Sequence, residues 1–376
     1  MRILYAVCGE GNGHATRSLV AIRHLLARGH RVLAAGGGRA LAYLRPRVPE
    51  FVEVPTFRSR YDADGRFDVE ASMLGNALAL PGMLLQAGSA ALLGDVATFA
   101  PEAVATDLEP FAVAYAALRG IPCCSIDNHQ AIFRSSHPAA VLRRVDRGEL
   151  GRVKILADAV AAGCRRCVAT TYSPSVVLPE RTADTVLVPP VVREPLLRAA
   201  AELRTGVRGV RPAEGGVLVY LTDVYPAFGG IGVPVLRSLG QLPGLRFVVY
   251  GVGPTSGELA PPNCLVRARF DEDGFARDLA ACSAVVANGG YSLLSEAVAL
   301  GKPALAVPIG RHAEQQVNAA WLAHQGFGER ADALEPGAVE AFLRRAPAYA
   351  RELRAAPRHD GNAALYAELD RTFPPP

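Results

Sequence analysis

Two glycine-bearing loops carry the residue types with which this chain could do chemistry. The first is Cys8-Gly9-Glu10-Gly11-Asn12-Gly13-His14, which lies between a strand-like run and a helical stretch. Glycines allow a backbone to approach a ligand closely, and the unpaired N–H groups of a helix N-terminus attract anions. The imidazole of His14 titrates near neutral pH, so it could act as a general base toward a hydroxyl group. A helix-cap or packing role for His14 is the alternative.

The spacing within this first loop argues against a nicotinamide-dependent oxidoreductase. Its glycines do not fit the G-x-G-x-x-G pattern of dinucleotide-binding folds. The next strand-like run ends in Ala34-Ala35-Gly36-Gly37-Gly38, which offers no acidic residue to hold a ribose. We therefore expect the first loop to serve a ligand other than a dinucleotide.

The second loop, Ala287–Glu296, follows a buried strand-like run and opens a helix. Gly289 and Gly290 would expose N–H groups at the helix N-terminus, where the helix dipole adds attraction for a diphosphate. Glu296 lies about a turn and a half further along the helix, where its carboxylate could accept hydrogen bonds from both hydroxyls of a ribose. This arrangement predicts a sugar-nucleotide site.

Two polar residues stand at the start of the following helix. Glu314 and Gln315 can each form paired hydrogen bonds with neighbouring hydroxyls, as recognition of a hexose requires. Helix capping and surface polarity are the plainer interpretation of either residue alone. Their position after the predicted phosphate loop favours contact with a sugar.

Asp127 and His129 form a further polar cluster at a strand end of the N-terminal half. They could bind a substrate, or they could replace His14 as the source of a base. A cap or packing role for His129 is equally open. The sequence does not separate these alternatives.

Alternating apolar runs and helical stretches predict the elements that position these residues. In the N-terminal half the predicted helices are 16–29 and 109–119, and the predicted strands are 2–8, 31–36, 103–106, 121–126 and 165–170. The series restarts with predicted helices at 231–241, 273–281 and 291–300 and predicted strands at 217–221, 246–250, 264–267, 284–287 and 304–307. This rhythm is typical of an α/β protein with doubly wound parallel sheets.

The length of 376 residues exceeds what one hydrophobic core usually serves. We predict two Rossmann-like domains that face each other across a cleft. Their expected bounds are 1–192 and 216–345, with a linker at 193–215. A C-terminal helical segment, 346–376, is expected to pack back on the first domain.

Charge and cysteine content limit the remaining classes. The net charge of +4 and the absence of a run of five basic residues argue against a nucleic-acid partner. Seven cysteines without a signal peptide predict reduced thiols in a cytoplasmic protein. Cys164 and Cys167 form a CxxC, but they lack a second pair or a nearby His at ligand spacing, so zinc is not expected.

The stretch from Ala71 to Gly94 carries no charge and approaches the length of a membrane span. Pro81 and several glycines would break a continuous apolar helix. We expect helices that are buried or that line a pocket. Contact with a membrane surface is the second interpretation, and a true span is the last.

The C-terminal residues resemble the donor signature of the GT-B glycosyltransferases. The span Gly289–Gly326 carries the resemblance, which includes plant and bacterial UDP-sugar transferases and the N-acetylglucosaminyltransferase that makes lipid II. It implies that Gly289-Gly290 binds the diphosphate, Glu296 the ribose and Glu314-Gln315 the transferred sugar. The implied donor site further includes Thr222, Phe270, Asn288, Tyr291 and Ser292. Asn288 departs from the His that many plant-type members carry there, which leaves the base and the sugar of the donor open.

The N-terminal half is similar to an archaeal and bacterial group of glycosyltransferase family proteins. The first loop with Thr16-Arg17-Ser18, the run Thr106–Pro110 and the run Ser125–Gln130 carry this similarity. In inverting relatives an Asp at a place comparable to Asp107 pairs with the loop His and stabilises the imidazolium. The resemblance thus implies a catalytic pair of His14 and Asp107. The acceptor-side residues that it implies are Glu10, Asn12, Asp127 and His129.

Together these features predict an inverting glycosyltransferase that needs neither a cofactor nor a metal. No DxD-like metal motif stands out, and the helix after Gly290 could neutralise the leaving diphosphate. We expect a hexose to pass from a nucleoside diphosphate, UDP first and dTDP second, to a small-molecule or lipid-linked acceptor.

Two alternatives to this function remain open. One is a sugar-nucleotide 2-epimerase that uses Glu10, Asp127 and Asp223. The other is a silent sugar-nucleotide-binding partner of another transferase. The acceptor and the oligomeric state are not predicted.

Overall fold

The computed structural model describes residues 1–87, 90–205, 216–221, 232–252, 259–267, 270–357 and 361–375. The N-terminal half contains, in order, β1 (Arg2–Val7), α1 (Asn12–Ala27), β2 (Arg31–Gly36), α2 (Gly38–Leu44), β3 (Glu50–Glu53), α3 (Val69–Ala87), α4 (Ala90–Phe99), β4 (Ala103–Asp107), α5 (Pro110–Arg119), β5 (Cys123–Asp127), α6 (His129–Arg134), α7 (Ala139–Leu142), α8 (Arg147–Ala161), β6 (Arg166–Thr170), β7 (Thr185–Val188) and α9 (Glu194–Thr205). The C-terminal half contains β8 (Val217–Tyr220), α10 (Gly232–Gly240), β9 (Phe247–Tyr250), β10 (Cys264–Val266), α11 (Glu272–Ala281), β11 (Ala284–Ala287), α12 (Tyr291–Ala299), β12 (Ala304–Ala306), α13 (Ala313–His324), β13 (Gly328–Arg330) and α14 (Pro336–Ala355), and the chain ends with α15 (Gly361–Thr372).

Each half is built on a parallel sheet. The strand order is β3-β2-β1-β4-β5-β6-β7 in the N-terminal half and β10-β9-β8-β11-β12-β13 in the C-terminal half. Both orders reverse beside the first strand of the sheet, and ligands of such folds bind at the carboxyl ends of strands next to this point. The loops after β1, β4 and β11 lie at these two reversal points, so the sheet topology brings the candidate residues to the strand ends where a ligand site is expected.

The strands form because their apolar side chains are covered by helices on both faces. Ile3, Leu4, Tyr5, Ala6 and Val7 of β1 are all fully buried, as expected for a central parallel strand. The register sets Val7 beside Asp107 in the neighbouring strand β4. The ends of β1 and β4 are tied by the amide of Cys8, which donates to the carbonyl of Asp107 at 2.9 Å.

The two C-terminal helices pack on different halves. Helix α14 contacts β12 and β13, whereas α15 contacts α1, β6 and β7 of the N-terminal half. Leu365, Leu369 and Phe373 enter the core of the N-terminal sheet. The boundary expected at 345 falls inside α14, so the part of the chain that returns to the N-terminal half starts only after that helix.

The uncharged stretch 71–94 contributes to α3 and α4, and its described side chains differ in burial. Leu74, Leu78 and Leu85 of α3 are 62%, 74% and 78% exposed, whereas Leu92 of α4 is buried and Met73 and Asn76 of α3 line a cavity between the two halves. The prediction of buried or pocket-lining helices therefore holds for some of these side chains and not for the exposed leucines. Among the described residues, no helix is long and apolar enough to cross a membrane.

Candidate functional site

A cavity of about 1020 Å³ lies between the carboxyl edges of the two sheets. Its walls include the loop Cys8–His14 from one half and, from the other half, Ala287, Asn288 and 290–292 with Glu314 and Gln315. Cavities of this size commonly hold drug-sized ligands. The fold therefore brings both glycine-bearing loops to one cleft.

His14 is held by a buried carboxylate at the end of β4. Its Nδ1 lies 2.8 Å from Oδ1 of Asp107, which is fully buried. Arg17, one turn further along α1, places its Nη2 2.7 Å from each oxygen of the same carboxylate, and the Ser18 hydroxyl donates to it at 3.0 Å. With this many donors, the buried carboxylate is stable in its ionised form.

The charges in this cluster fix the protonation of His14. Burial raises the pKa of Asp107, but Arg17 and His14 outweigh it and the pKa lies below its usual value. An ionised carboxylate only accepts hydrogen bonds, so in the neutral imidazole of His14 the proton lies on Nδ1 and Nε2 has a free electron pair. Burial lowers the pKa of His14, but Asp107 outweighs this effect and raises it above 6.5.

The backbone directly after Asp107 is strained. Leu108 has a φ of 56°, in the left-handed region that side chains with a Cβ rarely adopt. Such strain concentrates at functional sites. Leu108 also lines the cavity, so the turn that presents Asp107 to His14 forms part of the cavity wall.

The loop after β11 presents bare backbone to the cavity. Helix α12 begins at Tyr291 with neither a side-chain cap nor an acidic residue in its first turn. Its first N–H groups therefore lack side-chain partners and suit an anion.

The approach of the neighbouring backbone explains why Gly289 has no side chain. A Cβ on Gly289 would lie 2.3 Å from the carbonyl oxygen of Gln315. The loop after β11 and the start of α13 are therefore packed backbone to backbone, and glycine is the residue that permits this contact.

Glu296, the expected ribose ligand, is paired with an arginine from the N-terminal half. Nε and Nη2 of Arg193 lie 2.7 Å and 2.6 Å from its two carboxylate oxygens. The two side chains are only 11% and 4% exposed, and both line the cavity. This bidentate pair links the segment between β7 and α9 to α12.

Glu314 and Gln315 both lie at the cavity wall with polar partners. Asn128 donates to Oε1 of Glu314 at 3.1 Å, and Nε2 of His129 lies 3.4 Å from Oε2. Burial raises the pKa of Glu314, but the nearby His129, together with His312 and Asn128, outweighs it and lowers the pKa to about 2. Oε1 of Gln315 accepts a hydrogen bond from the amide of Ile309 at 2.9 Å, which leaves its amide group for a ligand.

Most of the other predicted residues also line the cavity, whereas Asp107, Asp127 and Gly289 do not. Those at the wall are Glu10, Asn12, Phe270, Asn288, Tyr291 and Ser292. Asp127, expected on the acceptor side, does not line the cavity, because it is fully buried. Its carboxylate accepts hydrogen bonds from the Ser125 hydroxyl and from the backbone N–H of Gln130. Its carboxylate thus holds the start of α6. Thr222 and Asp223 lie outside the described residues.

Sequence reasoning assigned no role to Arg17, Arg193 or His312, which all line the cavity. The role of Arg17 could have been predicted, because residues three apart share a helix face and His14 is three residues earlier. The position of His312 could also have been predicted, since it directly precedes the helix with Glu314. The sequence gives no indication of the role of Arg193, because its partner Glu296 is 103 residues away.

Comparisons with known proteins identify the family. The family model described as glycosyl transferase family 1 matches residues 1–347. The chain belongs to this family. A relative named an uncharacterized glycosyltransferase, from Methanosarcina mazei, is 25% identical over 343 residues, which cover 87% of this chain and 85% of the relative.

Solved structures show the same fold. CalG4, the calicheamicin glycosyltransferase, matches with a TM-score of 0.66 and 18% identity over 100% of this chain and 99% of its own. SsfS6, a glycosyltransferase of Streptomyces sp. SF2575 solved with thymidine diphosphate, matches with a TM-score of 0.60 and 18% identity over 98% and 96%. The chain is thus an enzyme, a glycosyltransferase with the two-sheet GT-B fold.

Proposed function

We propose that this glycosyltransferase moves a hexose from a nucleoside diphosphate held at α12 to a hydroxyl group that His14 deprotonates. The observation that carries the proposal is the shared cavity, to which the N-terminal half contributes His14, paired with Asp107, and the C-terminal half contributes the N-terminus of α12. A base and an anion site across one cleft match the needs of a single displacement.

The reaction follows from the positions of these groups. The acceptor oxygen attacks the anomeric carbon on the side away from the diphosphate, and its proton passes to Nε2 of His14. The bond between the anomeric carbon and the phosphate oxygen breaks, and the nucleoside diphosphate leaves with the electron pair. A single displacement of this kind inverts the anomeric centre.

His14 is a better base than His129. The free nitrogen of His14 is Nε2, on a side chain that is 16% exposed. The nitrogen of His129 that does not face Glu314 is Nδ1, which is buried and has no hydrogen-bond partner. A base must reach the proton that it removes, so the exposed imidazole is favoured.

The charge of the leaving group is the reason to propose metal-independent transfer. The N–H groups and dipole of α12 would neutralise the diphosphate as it departs. We expect EDTA to leave turnover unchanged. Loss of activity with EDTA and its return with Mg²⁺ would contradict this part of the proposal.

The acceptor side of the cavity supports an acceptor with an apolar part. Val69 and Met73 of α3 and Ile155 and Leu156 of α8 line it, and Met73 and Ile155 are 52% and 64% exposed. An exposed apolar wall beside a polar reaction centre suits an amphiphilic molecule. A lipid-linked intermediate and an aromatic natural product both have this character.

The epimerase alternative loses one of its three candidate carboxylates, because Asp127 is buried beneath α6. Glu10 lines the cavity, and Asp223 lies outside the described residues. Incubation of the donor without an acceptor separates the two functions, because an epimerase would isomerise the sugar whereas a transferase would at most hydrolyse it slowly.

The experiment for the proposed function combines binding with turnover. Thermal shifts with UDP-, dTDP- and GDP-hexoses identify the donor, since a ligand of the folded state raises its stability. That donor is then incubated with an aromatic polyphenol, a polyprenyl phosphate and, as polar control, glycerol. We expect transfer to at least one amphiphilic acceptor, with inversion at the anomeric carbon. Retention, or stabilisation by none of the nucleotides, would contradict the proposal.

A further inference from the structure

A carboxylate of the C-terminal half is held by residues of the N-terminal half. Glu314 stands in the first turn of α13, and its side chain is 13% exposed. Its contacts with Asn128 and His129 come from the start of α6, across the cleft. Asn318, four residues along α13, adds a longer contact of 3.4 Å. The partners that cross the cleft therefore hold both oxygens of this carboxylate.

The two nitrogens of His129 have different surroundings. Nε2 faces the carboxylate of Glu314, whereas Nδ1 is buried without a hydrogen-bond partner. The ring also lies parallel to that of His14, with centroids 5.9 Å apart. His129 thus sits between the base and the carboxylate, and only one of its nitrogens has a polar neighbour.

We propose that His129 is a positioning residue that holds Glu314 for the hydroxyls of the donor sugar, through Nε2 and together with Asn128. This inference rests on the proposed function, because it assumes a sugar nucleotide as the donor. A glutamate side chain has three rotatable bonds, so a fixed carboxylate loses less entropy when a ligand binds. The sugar part of the donor site is then complete only where α6 meets α13.

The inference predicts different effects on the two parts of the donor, the sugar and the nucleotide, when binding affinity is measured. A nucleoside diphosphate lacks the hexose and would not contact Glu314. Variants of His129 should therefore weaken the binding of the sugar nucleotide and leave that of the free diphosphate unchanged. A general loss of structure would weaken both.

Two isosteric variants test which nitrogen matters. The amide nitrogen of a glutamine lies near the place of Nε2, and that of an asparagine lies near the place of Nδ1. His129→Gln should keep the contact with Glu314, and His129→Asn should lose it. Neither amide can act as a base, so activity in His129→Gln would also exclude proton transfer by His129.

The test is calorimetric titration of the full chain with UDP-glucose and UDP, and with dTDP-glucose and dTDP. We expect His129→Asn to lose about tenfold or more in affinity for the glucose donor, as for a hydrogen bond to a charged group, with the diphosphate unchanged. His129→Gln should keep most of the affinity that His129→Asn loses. In a Glu314→Gln background, His129→Asn should add little, because contacting residues are not additive.

Several results would overturn the inference. Equal losses for donor and diphosphate, no loss in His129→Asn, or equal losses in the Asn and Gln variants would each do so. A wild-type chain that binds the glucose donor no better than the diphosphate would also contradict it. Each of these leaves the proposed function standing, whereas failure of the wild-type chain to bind any of the UDP-, dTDP- and GDP-hexoses of the thermal-shift panel would count against the proposed function itself.

Discussion

The two glycine-bearing loops are alike in position and different in chemistry. Each follows a strand at the reversal point of its sheet and opens a helix without a side-chain cap. Behind the first loop lies a buried charge cluster of His14, Arg17 and Asp107. The helix after the second loop has no histidine at its start, and Glu296 further along it is paired with Arg193. We propose that similar backbone geometry serves proton transfer in one half and anion binding in the other.

The comparison teaches that a glycine-rich loop does not by itself define a phosphate site. The helix dipole is present at both loops. At the first loop the nearby side chains are ionised or titratable, which is why we propose proton transfer there. The following predictions test this division of roles, proton transfer at the first loop and anion binding at the second, from the largest expected effect to the smallest.

Removal of the base should have the largest effect. His14→Ala should lower kcat by about 10²–10⁴-fold, the usual contribution of general base catalysis. The affinity for the donor, measured by calorimetry, should stay within about twofold because we propose that the donor binds at the other loop. A variant that keeps its turnover would show that proton transfer occurs elsewhere.

Asp107, the partner of the proposed base His14, should control the pH dependence of kcat/KM. Asp107 raises the pKa of His14 above 6.5, and only the neutral imidazole accepts a proton, so kcat/KM of the wild type should fall as the pH drops through that raised pKa. Asp107→Asn should move this acidic limb to lower pH, because burial then lowers the pKa without opposition from the carboxylate. The plateau rate should fall by about 10²-fold as the fixed tautomer is lost. A pH–rate profile with an unmoved limb would mean that another group titrates.

The buried ion pair beside the second loop should affect stability more than an exposed one. Arg193→Met leaves Glu296 buried without its partner, which should cost about 3–5 kcal/mol of the free energy of unfolding. The control is Arg198→Met, since the pair Arg198–Asp273 is 54% and 56% exposed and should be worth at most about 1 kcal/mol. Thermal unfolding followed by circular dichroism compares the two variants. Equal midpoints would contradict the buried pairing.

The two glycines of the second loop should respond differently to a methyl group. Gly289→Ala forces a Cβ against the carbonyl of Gln315 and should cost about 1–3 kcal/mol of stability. A Cβ on Gly290 would meet nothing within 4 Å, so Gly290→Ala is the matched control and should unfold at the wild-type temperature. Equal stability of the two variants would mean that the loop and α13 are not packed as described.

The sequence predicted the regular elements better than the contacts across the cleft. The strands Arg31–Gly36 and Ala284–Ala287 were predicted at their observed bounds, since buried parallel strands are short and strongly apolar. Strand β3 and helix α8 were missed. The strand is a short edge element, and the helix is polar, although Asp146 does cap its first N–H groups.

The site could be predicted loop by loop but not as an assembly. The glycine loops, Glu296 and the pair Glu314-Gln315 each stood out by local spacing. The contacts from Arg193 to Glu296 and from Asn128 to Glu314 join residues 103 and 186 positions apart. No sequence period connects such distant positions, and only the docking of one half on the other creates these contacts.

The most direct test of the division between the two loops is a crystal structure of the chain with its preferred nucleoside diphosphate. We predict that the phosphates contact the backbone N–H groups of Gly290, Tyr291 and Ser292 at the start of α12, and that Nε2 of His14 faces the space left for the acceptor. Phosphates bound instead to the backbone of Gly9–Gly13 would contradict the assignment of donor and acceptor sides.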